Sequence, residues 1–186
     1  MMQRQTMLDD ARRTCANRRM AHAYLSLGSN IEPQTHLRAA LGELAQRFGK
    51  LAVSPVYRMP AVGMHAADFL NLAVGLACDL DPHALNDWLH ALEDRHGRRR
   101  DVPRWSSRTL DVDIVLYDDL VLRGDGHLDI PRAELAHAFV LKPLADIAAD
   151  VRHPLLGTTI GELWAAHAAH ADVFATVELQ DVRGLL

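Results

Sequence analysis

The chain has 186 residues, 49% of them apolar and 24% charged, so it is long enough to bury one hydrophobic core and is not disordered as a whole. Its 20 basic and 24 acidic residues give a formal net charge of −4, which argues against a general binder of nucleic acids or anionic membranes. The arginines are unevenly placed, because six of the 18 lie between Arg95 and Arg108, where Asp101 is the only acid. Such a local group of guanidinium side chains indicates a small anionic ligand.

Cysteine content and hydropathy indicate the compartment. The two cysteines, Cys15 and Cys78, are too few for a disulfide framework or for a zinc site of their own, and they fit a reducing environment. No apolar run approaches the roughly eighteen residues of a membrane span. We therefore predict a cytoplasmic protein that works as a monomer on small-molecule substrates and binds neither membranes nor nucleic acids.

The first 20 residues are rich in arginine and poor in large apolar side chains, so they lack the apolar centre of a secretion signal. An arginine-rich transit peptide is an alternative, but Asp9 and Asp10 argue against it because such peptides are poor in acids. Met20 leads directly into the first strand-like segment. We predict that residues 1–20 are a disordered or dispensable extension and that residues 21–186 form a single domain.

Hydrophobic spacing divides the chain into short strands and amphipathic helices. In chain order, the predicted elements are strand Ala23–Leu27, helix His36–Phe48, strand Leu51–Tyr57, strand Phe69–Ala77, a helix from Asp81-Pro82 to near Gly97, strand Leu110–Tyr117, helices Phe139–Ala149 and Ile160–Ala169, and strand Val173–Glu178. A short strand at Leu120–Leu122 is predicted to pair with Leu110–Tyr117 through Asp118-Asp119. This order predicts an α+β domain with a ferredoxin-like βαββαβ core, in which helices pack on a mostly antiparallel sheet.

Asp111 and Asp113 are the strongest chemical signal in the chain, because they alternate with apolar residues along a predicted strand. Alternate side chains of a strand share a face, so a second set is predicted to point together into the core: Leu110, Val112, Ile114 and Leu116. The two aspartates, with Cα atoms roughly 6.5–7 Å apart, repel each other unless a cation stands between them. Magnesium meets that need with carboxylates, phosphate oxygens and water, and two such ions can clamp a phosphoryl group.

The structural alternative is a solvent-facing strand whose aspartates balance neighbouring arginines, and an isolated Asp-x-Asp pattern favours it. Here the arginine-rich segment lies immediately upstream of Asp111. A phosphate held between metal and guanidinium groups satisfies both charge signs, so the combination favours a metal–phosphate site.

The segment from Arg98 to Ser107 joins the end of a predicted helix to the aspartate-bearing strand. Its arginines can grip phosphate in a bidentate manner while Trp105 stacks on a flat ring, which is typical of a lid over a ligand. Nucleic acid is a rival ligand, but the acidic total and the shortness of the segment argue against it. The sequence has no Gly-x-x-x-x-Gly-Lys-Ser/Thr motif, which excludes a P-loop enzyme, and Gly28-Ser29-Asn30 is interpreted as an ordinary turn.

Several motifs occur in a fixed order from Ala21 to about Ala168, and the run from Arg104 to Ile114 is the most specific. The others are Tyr24-Leu25-Ser26-Leu27-Gly28-Ser29-Asn30, Tyr57-Arg58-Met59-Pro60, Phe69-Leu70-Asn71, Glu93 and Gly97-Arg98. Together they resemble the 6-hydroxymethyl-7,8-dihydropterin pyrophosphokinases. The resemblance implies transfer of the β,γ-diphosphate of ATP to the hydroxymethyl group of a reduced pterin, with release of AMP, in folate biosynthesis.

The resemblance also implies roles for individual side chains. Two magnesium ions would be held by Asp111 and Asp113, while Arg98 and Arg108 would contact the phosphates and stabilise charge on the transferred group. The ATP side would further include Glu93, Arg100, Arg104, Trp105, Ile114 and Arg132. The pterin side would include Pro60, Val62, Phe69, Asn71 and Phe139, with an aromatic pair around the ring and an amide at its polar edge. For the two phenylalanines, plain core packing is the alternative.

Four positions depart from the family pattern. Met59 stands where a threonine or similar polar residue is usual, and His90 replaces a glutamine that touches the phosphates. Asp101 replaces a basic residue, and Arg132 follows Ile130-Pro131 where a histidine is usual, although it can supply the missing donor to ATP. These departures leave two alternatives: a paralogue acting on another heterocyclic alcohol, and a non-catalytic pterin- or nucleotide-binding module.

Overall fold

A computed structural model describes residues 20–61, 66–99, 101, 106–124 and 128–179 of the chain. Within these ranges the strands are β1 (Ala21–Ser29), β2 (Leu51–Val53), β3 (Val56–Met59), β4 (Phe69–Cys78), β5 (Asp111–Tyr117), β6 (Leu122–Arg123), β7 (Asp129–Ile130) and β8 (Ala175–Val177). The helices are α1 (Pro33–Phe48), α2 (Pro82–Arg95), α3 (Ala138–Ala148) and α4 (Ile160–Ala165), with a 3-10 helix at Ala133–Ala136.

Six strands form one antiparallel sheet in which β1 lies between β5 and β4. β3 follows on the far side of β4 and β8 lies beyond it, while β2 also pairs with β4. The part of the chain from β1 through α1, β3, β4 and α2 to β5 has the split βαβ order, so the predicted ferredoxin-like α+β fold is confirmed. β6 and β7 pair separately from the main sheet.

Each face of the sheet carries its own hydrophobic cluster. On one face, α1 and α2 bury leucines at spacings of three or four residues against apolar side chains of β1, β4 and β5. On the other face, α3 and α4 pack around Ala73, Val115 and Trp164. This second layer covers only part of its face, and the part left open holds the cavity described below.

Helix α2 has a capped N-terminus, one side buried in the core and a second side that faces the cavity. Asp81 caps its N-terminus, since the carboxylate accepts hydrogen bonds from the backbone N–H groups of His83 and Ala84, both at 3.0 Å, and Pro82 follows at the first turn. Its buried side consists of Leu85, Leu89 and Leu92. Asn86, His90 and Glu93 follow the same helical spacing on a second side and face the cavity.

The predicted strand Leu51–Tyr57 is in fact two strands, because Ser54-Pro55 interrupts it. The proline has no backbone N–H to give to a ladder. Ser54 replaces the lost pairing by accepting a hydrogen bond from Ala73 N at its hydroxyl (2.9 Å) and donating its own N–H to Ala73 O (3.0 Å).

The prediction that Leu116 shares a face with Val112 and Ile114 is wrong. β1 pairs Leu25 with Ile114 but Tyr24 with Leu116, so one residue of β5 is bulged out between them. Val112 and Ile114 join the cluster under α1 and α2, whereas Leu116 joins the cluster under α3 and α4. The bulge reverses the alternation of side chains between the two sheet faces after Asp113. It does not change the face on which Asp111 and Asp113 lie.

The predicted pairing of Leu120–Leu122 with β5 is also wrong. Asp118 has a left-handed backbone (φ 45°), and both its N–H and its carboxylate bond to the main chain of His22, each at 2.8 Å. The chain therefore leaves the sheet edge instead of folding back on it. Leu122 and Arg123 pair with Ile130 and Asp129 of β7.

The predicted helix Ile160–Ala169 ends four residues early, at Ala165. Thr159 caps its start and exchanges hydrogen bonds with Glu162. Beyond Ala165, His167 N bonds to Trp164 O and the His167 ring accepts from Ala169 N, so tight turns replace the helical pattern. No helix within the described ranges is both long and apolar enough to cross a membrane.

Candidate active site

A cavity of about 640 Å³ lies on the open part of the sheet face, a size typical of small-molecule sites. Its floor is formed by β1, β4 and β5, and its walls by α2, by the segment leading from β7 to the 3-10 helix and by the start of α3. Ten predicted site residues line it together: Pro60, Phe69, Asn71, Glu93, Arg98, Arg108, Asp111, Asp113, Arg132 and Phe139. Segments far apart in the chain thus meet in one space.

Three arginines hold the two aspartates at one end of the cavity. Oδ1 of Asp111 accepts from Nη1 of Arg108 at 2.5 Å and from Nη2 of Arg98 at 3.0 Å. Oδ1 of Asp113 accepts from Nη2 of Arg132 at 2.5 Å. The arginines and aspartates that the sequence analysis singled out are therefore ion-paired with one another.

The lining nevertheless carries more negative than positive charge. Among the described lining residues there are five carboxylates, those of Glu93, Asp111, Asp113, Asp129 and Glu134, and three guanidinium groups, those of Arg98, Arg108 and Arg132. A polyphosphate entering this space meets a net repulsive lining unless a cation accompanies it. The donor set of paired carboxylates suits a hard divalent ion such as Mg²⁺, which takes its other ligands from phosphate and water.

The environment of Asp113 also favours a bound cation. Burial in the cleft, followed by the negative charge of Asp111, raises the pKa of this carboxyl to about 7, and Glu93 and Glu134 add to the effect. The Arg132 guanidinium opposes the rise. Asp113 thus stays ionised at neutral pH only at a cost that a bound cation relieves.

Buried donors at the same end of the cavity fit the phosphate side of a ligand. Nε and Nη1 of Arg98 are buried and have no hydrogen-bond partner among the described residues, and the same holds for the Ser106 hydroxyl. Unpaired buried donors are costly unless a ligand or water accepts from them. Phosphate oxygens are suited to that role, because they accept charge-assisted hydrogen bonds from guanidinium groups.

The turn after β1 has a structural task that its short Gly-Ser-Asn pattern did not predict. Oδ1 of Asn30 accepts from Arg108 N at 2.7 Å, while its Nδ2 donates to Ala67 O (3.1 Å) and to the Ser107 hydroxyl (3.2 Å). Ser29 donates its hydroxyl hydrogen to Thr109 O at 2.6 Å. Both side chains are buried. The turn sets the backbone from which Arg108 projects, and the polar Ser29-Asn30 pair after Gly28 was the only sequence signal of it.

Glu93 connects α2 with the aspartate-bearing strand. Its carboxylate is buried and accepts a hydrogen bond from Val112 N at 2.9 Å. Its main-chain oxygen accepts from Arg98 N at 3.0 Å. Glu93 therefore ties both the strand between the two aspartates and the start of the arginine-rich segment to one helix turn.

Another part of the lining is formed by aromatic rings and an amide. Asn71 is 5% exposed, and a Cβ atom on Gly28 would come within 3.1 Å of its Oδ1 and 3.7 Å of the Phe69 ring, so the glycine makes room for both. Phe139 lies across the cavity at the start of α3 and stacks on His137 (centroids 5.2 Å apart, planes 10° apart). His137 was missed by sequence reasoning. It is not among the lining residues, so it backs the Phe139 ring from outside.

The remaining predicted residues fall elsewhere. Ile114 is buried in the core on the opposite face and is absent from the lining, so its side chain does not reach the cavity. A nucleotide contact of Ile114 is thus limited to its main chain. Four further predicted residues, Val62, Arg100, Arg104 and Trp105, lie outside the described residues.

The positions that depart from the expected pattern are distributed around the site. Arg132 and His90 line the cavity, whereas Met59 is buried in β3. Asp101 is exposed and pairs with Arg99 at 2.7 Å. Only two of these departures therefore face the proposed ligands directly.

Comparisons with known proteins found a matching family and several relatives. A family model described as 7,8-dihydro-6-hydroxymethylpterin-pyrophosphokinase (HPPK) matches residues 24–149. The 2-amino-4-hydroxy-6-hydroxymethyldihydropteridine pyrophosphokinase of Pseudomonas aeruginosa is 42% identical over 155 residues, which is 77% of this chain and 90% of that protein. The protein of the same name from Synechocystis sp. is 39% identical over 145 residues, covering 76% of this chain and 73% of that protein.

Solved structures show the same fold. Plasmodium falciparum HPPK-DHPS with SDX-DHP matches 78% of this chain with a TM-score of 0.58 at 15% identity, and its form with pterin and p-hydroxybenzoate matches 83% with a TM-score of 0.62 at 14% identity. The chain spans 43% and 44% of the length of those two chains. At this identity the likeness concerns the fold alone.

Proposed function

Because the chain belongs to the 7,8-dihydro-6-hydroxymethylpterin-pyrophosphokinase family, we propose that the cavity bounded by α2, β5 and α3 is its active site. The activity is transfer of diphosphate from ATP to the hydroxymethyl group of 6-hydroxymethyl-7,8-dihydropterin, with release of AMP, in folate biosynthesis. ATP is the co-substrate and the reaction uses Mg²⁺. One observation supports the site above all others: a single cavity is lined both by paired carboxylates and arginines and by an amide and two aromatic rings.

At the nucleotide end, Asp111 and Asp113 hold two Mg²⁺ ions in this proposal. When bound, the metal neutralises phosphate charge and polarises the phosphoryl group that is transferred. Phosphate oxygens replace Asp111 as the partner of Arg98 and Arg108, which satisfies the unpaired Nε and Nη1 of Arg98. Arg132, now paired with Asp113, turns its guanidinium to the nucleotide in the same way. Each carboxylate thereby exchanges an internal arginine for a cation.

At the acceptor end, the pterin ring lies between Phe69 and Phe139, and Asn71 reads its polar edge. A buried primary amide offers both donors and an acceptor, which matches the mixed donor and acceptor edge of a pterin. Pro60 forms the wall beside it. A flat heterocycle gains stacking energy on two rings, and the amide sets which way the ring faces.

In the transfer step the diphosphate passes directly from ATP to the pterin, so the protein contributes little covalent chemistry. The hydroxymethyl oxygen attacks the β-phosphorus in line with the bond to the α-phosphate, and AMP leaves. Arg98 and Arg108 stabilise the negative charge that develops on the transferred group. The remaining contribution is the relative placement of the two substrates.

Four residues outside the described ranges complete the proposal. The family resemblance assigns Arg100, Arg104 and Trp105 to ATP and Val62 to the pterin. Glu93 supports the nucleotide side through its bonds to β5 and to Arg98 N.

A product assay tests the function. Purified protein is incubated with ATP, Mg²⁺ and 6-hydroxymethyl-7,8-dihydropterin, and nucleotide products are separated by chromatography. AMP formed in equal amount to the pterin diphosphate is the expected result. ADP would indicate transfer of a single phosphoryl group, and no nucleotide product would indicate a binding module or a different acceptor. The relatives favour neither of these two alternatives.

The proposal also includes the working state of the chain. We propose a monomer in the cytoplasm as the working state. Light scattering during size-exclusion chromatography and cell fractionation test these two points. Removal of residues 1–19 should leave the rate of AMP release unchanged if that segment is dispensable.

A further inference from the structure

Behind the acceptor end of the cavity, β3 and α3 are joined by a polar contact that the proposed chemistry does not use. The Tyr57 hydroxyl donates to Oδ2 of Asp146 at 2.8 Å, and Lys142 pairs with Oδ1 of the same carboxylate. Nζ of Lys142 also lies 5.2 Å from the centre of the Tyr57 ring. Tyr57 is 6% exposed, whereas Asp146 is exposed, so the contact lies at the edge of the packing between β3 and α3.

The direction of the hydrogen bond is defined by its surroundings. Burial, followed by the bond to Asp146, raises the pKa of Tyr57, so its hydroxyl stays protonated and remains the donor. Hydrogen bonds to a charged acceptor are stronger than neutral ones. The contact therefore holds one point of β3 at a set distance from one point of α3.

Both partners are adjacent to residues that form the proposed pterin pocket. Tyr57 lies directly across from Asn71 in the β3–β4 register, and directly opposite residues of an antiparallel pair share a face. Pro60, which lines the cavity, comes three residues after Tyr57. On α3, Phe139 precedes Lys142 by three residues, which places the two on the same side of the helix.

Apolar packing also joins α3 to the sheet, through such residues as Ala73, Leu141 and Leu144. Apolar packing is non-directional, so it resists separation of the helix from the sheet better than it resists sliding or rotation. Stacking a flat ligand between two aromatic side chains requires resistance to separation and also to sliding and rotation. The two side-chain rings must lie parallel to the ligand at stacking distance. A directional contact is what sets that geometry.

We infer that Tyr57 and Asp146 are positioning residues for the pterin: their hydrogen bond holds the Phe139 wall on α3 at the right distance and angle from the Asn71 and Phe69 wall on the sheet. This inference rests on the proposed function, since it names what orders the acceptor pocket of that site. It assigns to the pair no contact with either substrate.

Direct binding measurements test the inference. The probe is 6-hydroxymethylpterin, a fluorescent oxidised analogue of the substrate, titrated in the presence of Mg²⁺ and α,β-methylene-ATP. Tyr57→Phe removes one hydroxyl and should raise the Kd of the pterin about fivefold, the effect of one lost hydrogen bond. The Kd of the nucleotide analogue should stay unchanged, because the arginine and aspartate end does not depend on this contact.

A matched control separates positioning from general loss of stability. Tyr117 donates its hydroxyl to Leu80 O at 2.6 Å and packs against the cluster on the opposite face. Tyr117→Phe should leave the Kd of the pterin unchanged even where its melting temperature falls as far as that of Tyr57→Phe. Asp146→Asn keeps an acceptor oxygen, so its pterin affinity should lie closer to wild type than that of Asp146→Ala.

The outcomes are distinct. An unchanged pterin Kd in Tyr57→Phe, or an equal rise in Tyr117→Phe, overturns the inference. If wild type binds the probe and releases AMP while Tyr57→Phe binds it equally well, the inference fails and the proposed function stands. If wild type neither binds the probe nor releases AMP, both fail.

Discussion

Asp111 and Asp113 carry two like charges on one strand face, and their neighbours determine how those charges are balanced. Without ligand, Asp111 is held by Arg98 and Arg108, and Asp113 by Arg132. Removing a single member of such a set leaves the opposite charge uncompensated. The roles of individual side chains are therefore best separated by substitutions that keep shape and change one charge.

The first prediction concerns Asp113. Asp113→Asn removes a metal-binding carboxylate with little change of volume, so it should lower the rate of AMP release at saturating Mg²⁺ by at least about 100-fold. Its melting temperature should stay close to wild type. Asp119→Asn, at an exposed turn position, is the matched control and should be fully active. A near-normal rate in Asp113→Asn would contradict the metal assignment.

The second prediction concerns Arg132 as the internal partner of Asp113. In Arg132→Gln the carboxylate loses its guanidinium partner, so Mn²⁺ should bind more tightly in the absence of nucleotide. The affinity for ATP should fall in the same variant, because a phosphate contact is lost. Mn²⁺ binding is measured by electron paramagnetic resonance. Arg123→Gln, an exposed residue of β6, is the control. Unchanged Mn²⁺ affinity would show that Arg132 does not compete with the metal.

The third prediction concerns Arg108 in the transition state. Arg108→Ala should lower kcat more than it weakens ATP binding, since charge on the transferred group is greatest during the reaction. Steady-state kinetics and nucleotide titration measure the two effects separately. A raised KM for ATP with unchanged kcat would refute this role.

At the scale of elements, the site is assembled by contacts between segments that end near it. The turn after β1 holds the approach to β5 through Asn30, and α2 holds β5 and Arg98 N through Glu93. β5 itself bulges after the second aspartate, so its alternation is regular where the aspartates lie and reversed beyond them. Strand identity was predictable from alternation, but the bulge was not, because apolar residues occupy consecutive positions from Ile114 to Leu116.

The fourth prediction concerns the turn after β1. Asn30→Ala removes the acceptor for Arg108 N and both donated bonds, so the Arg108 backbone keeps the bonds that its carbonyl accepts from the N–H groups of residues 30 and 31 but loses the bond that it donates. We expect kcat to fall about tenfold through misplacement of a catalytic group. Asn30→Asp keeps the acceptor oxygen and should retain more of the activity. Equal losses in both variants would indicate that the acceptor role is unimportant.

At the scale of the whole molecule, stability depends on histidines that must stay neutral. His153 is 8% exposed, and its Nδ1 accepts from the backbone N–H groups of Leu155 and Leu156 at 3.2 and 3.3 Å. Burial lowers the pKa of His153 below its ordinary 6.5. Burial, followed by the nearby His96 ring, also lowers the pKa of His36. As pH falls, each of these two histidines is therefore protonated at a higher pH in the unfolded chain than in the folded protein.

The fifth prediction follows from that difference. A histidine with a lowered pKa in the folded state contributes stability that is fully present above about pH 6.5 and is lost as pH falls toward the folded-state pKa. The histidine contribution to the free energy of unfolding should therefore be lost between about pH 7.5 and about pH 5.5, while Asp113, whose pKa is raised to about 7, contributes in the opposite direction. His153→Asn keeps an acceptor and cannot titrate, so its drop should be smaller, whereas exposed His83→Asn should behave like wild type. Urea unfolding at both pH values measures this, and an equal drop in His153→Asn would contradict it.

The amino-acid sequence alone determined the α+β order, the strand with two aspartates on one face and the local concentration of arginine, because these follow from short periodic patterns and composition. The resemblance to a known family added further residues that line the cavity. Only the tertiary structure decided which arginine pairs with which aspartate, that Asn30 and Glu93 hold the backbone around them, and that Ile114 faces the core. Arg132 and Asp113 are 19 residues apart and Asn30 and Arg108 are 78 apart. Such partners are selected by strand register and packing across the whole sheet, which no local pattern encodes.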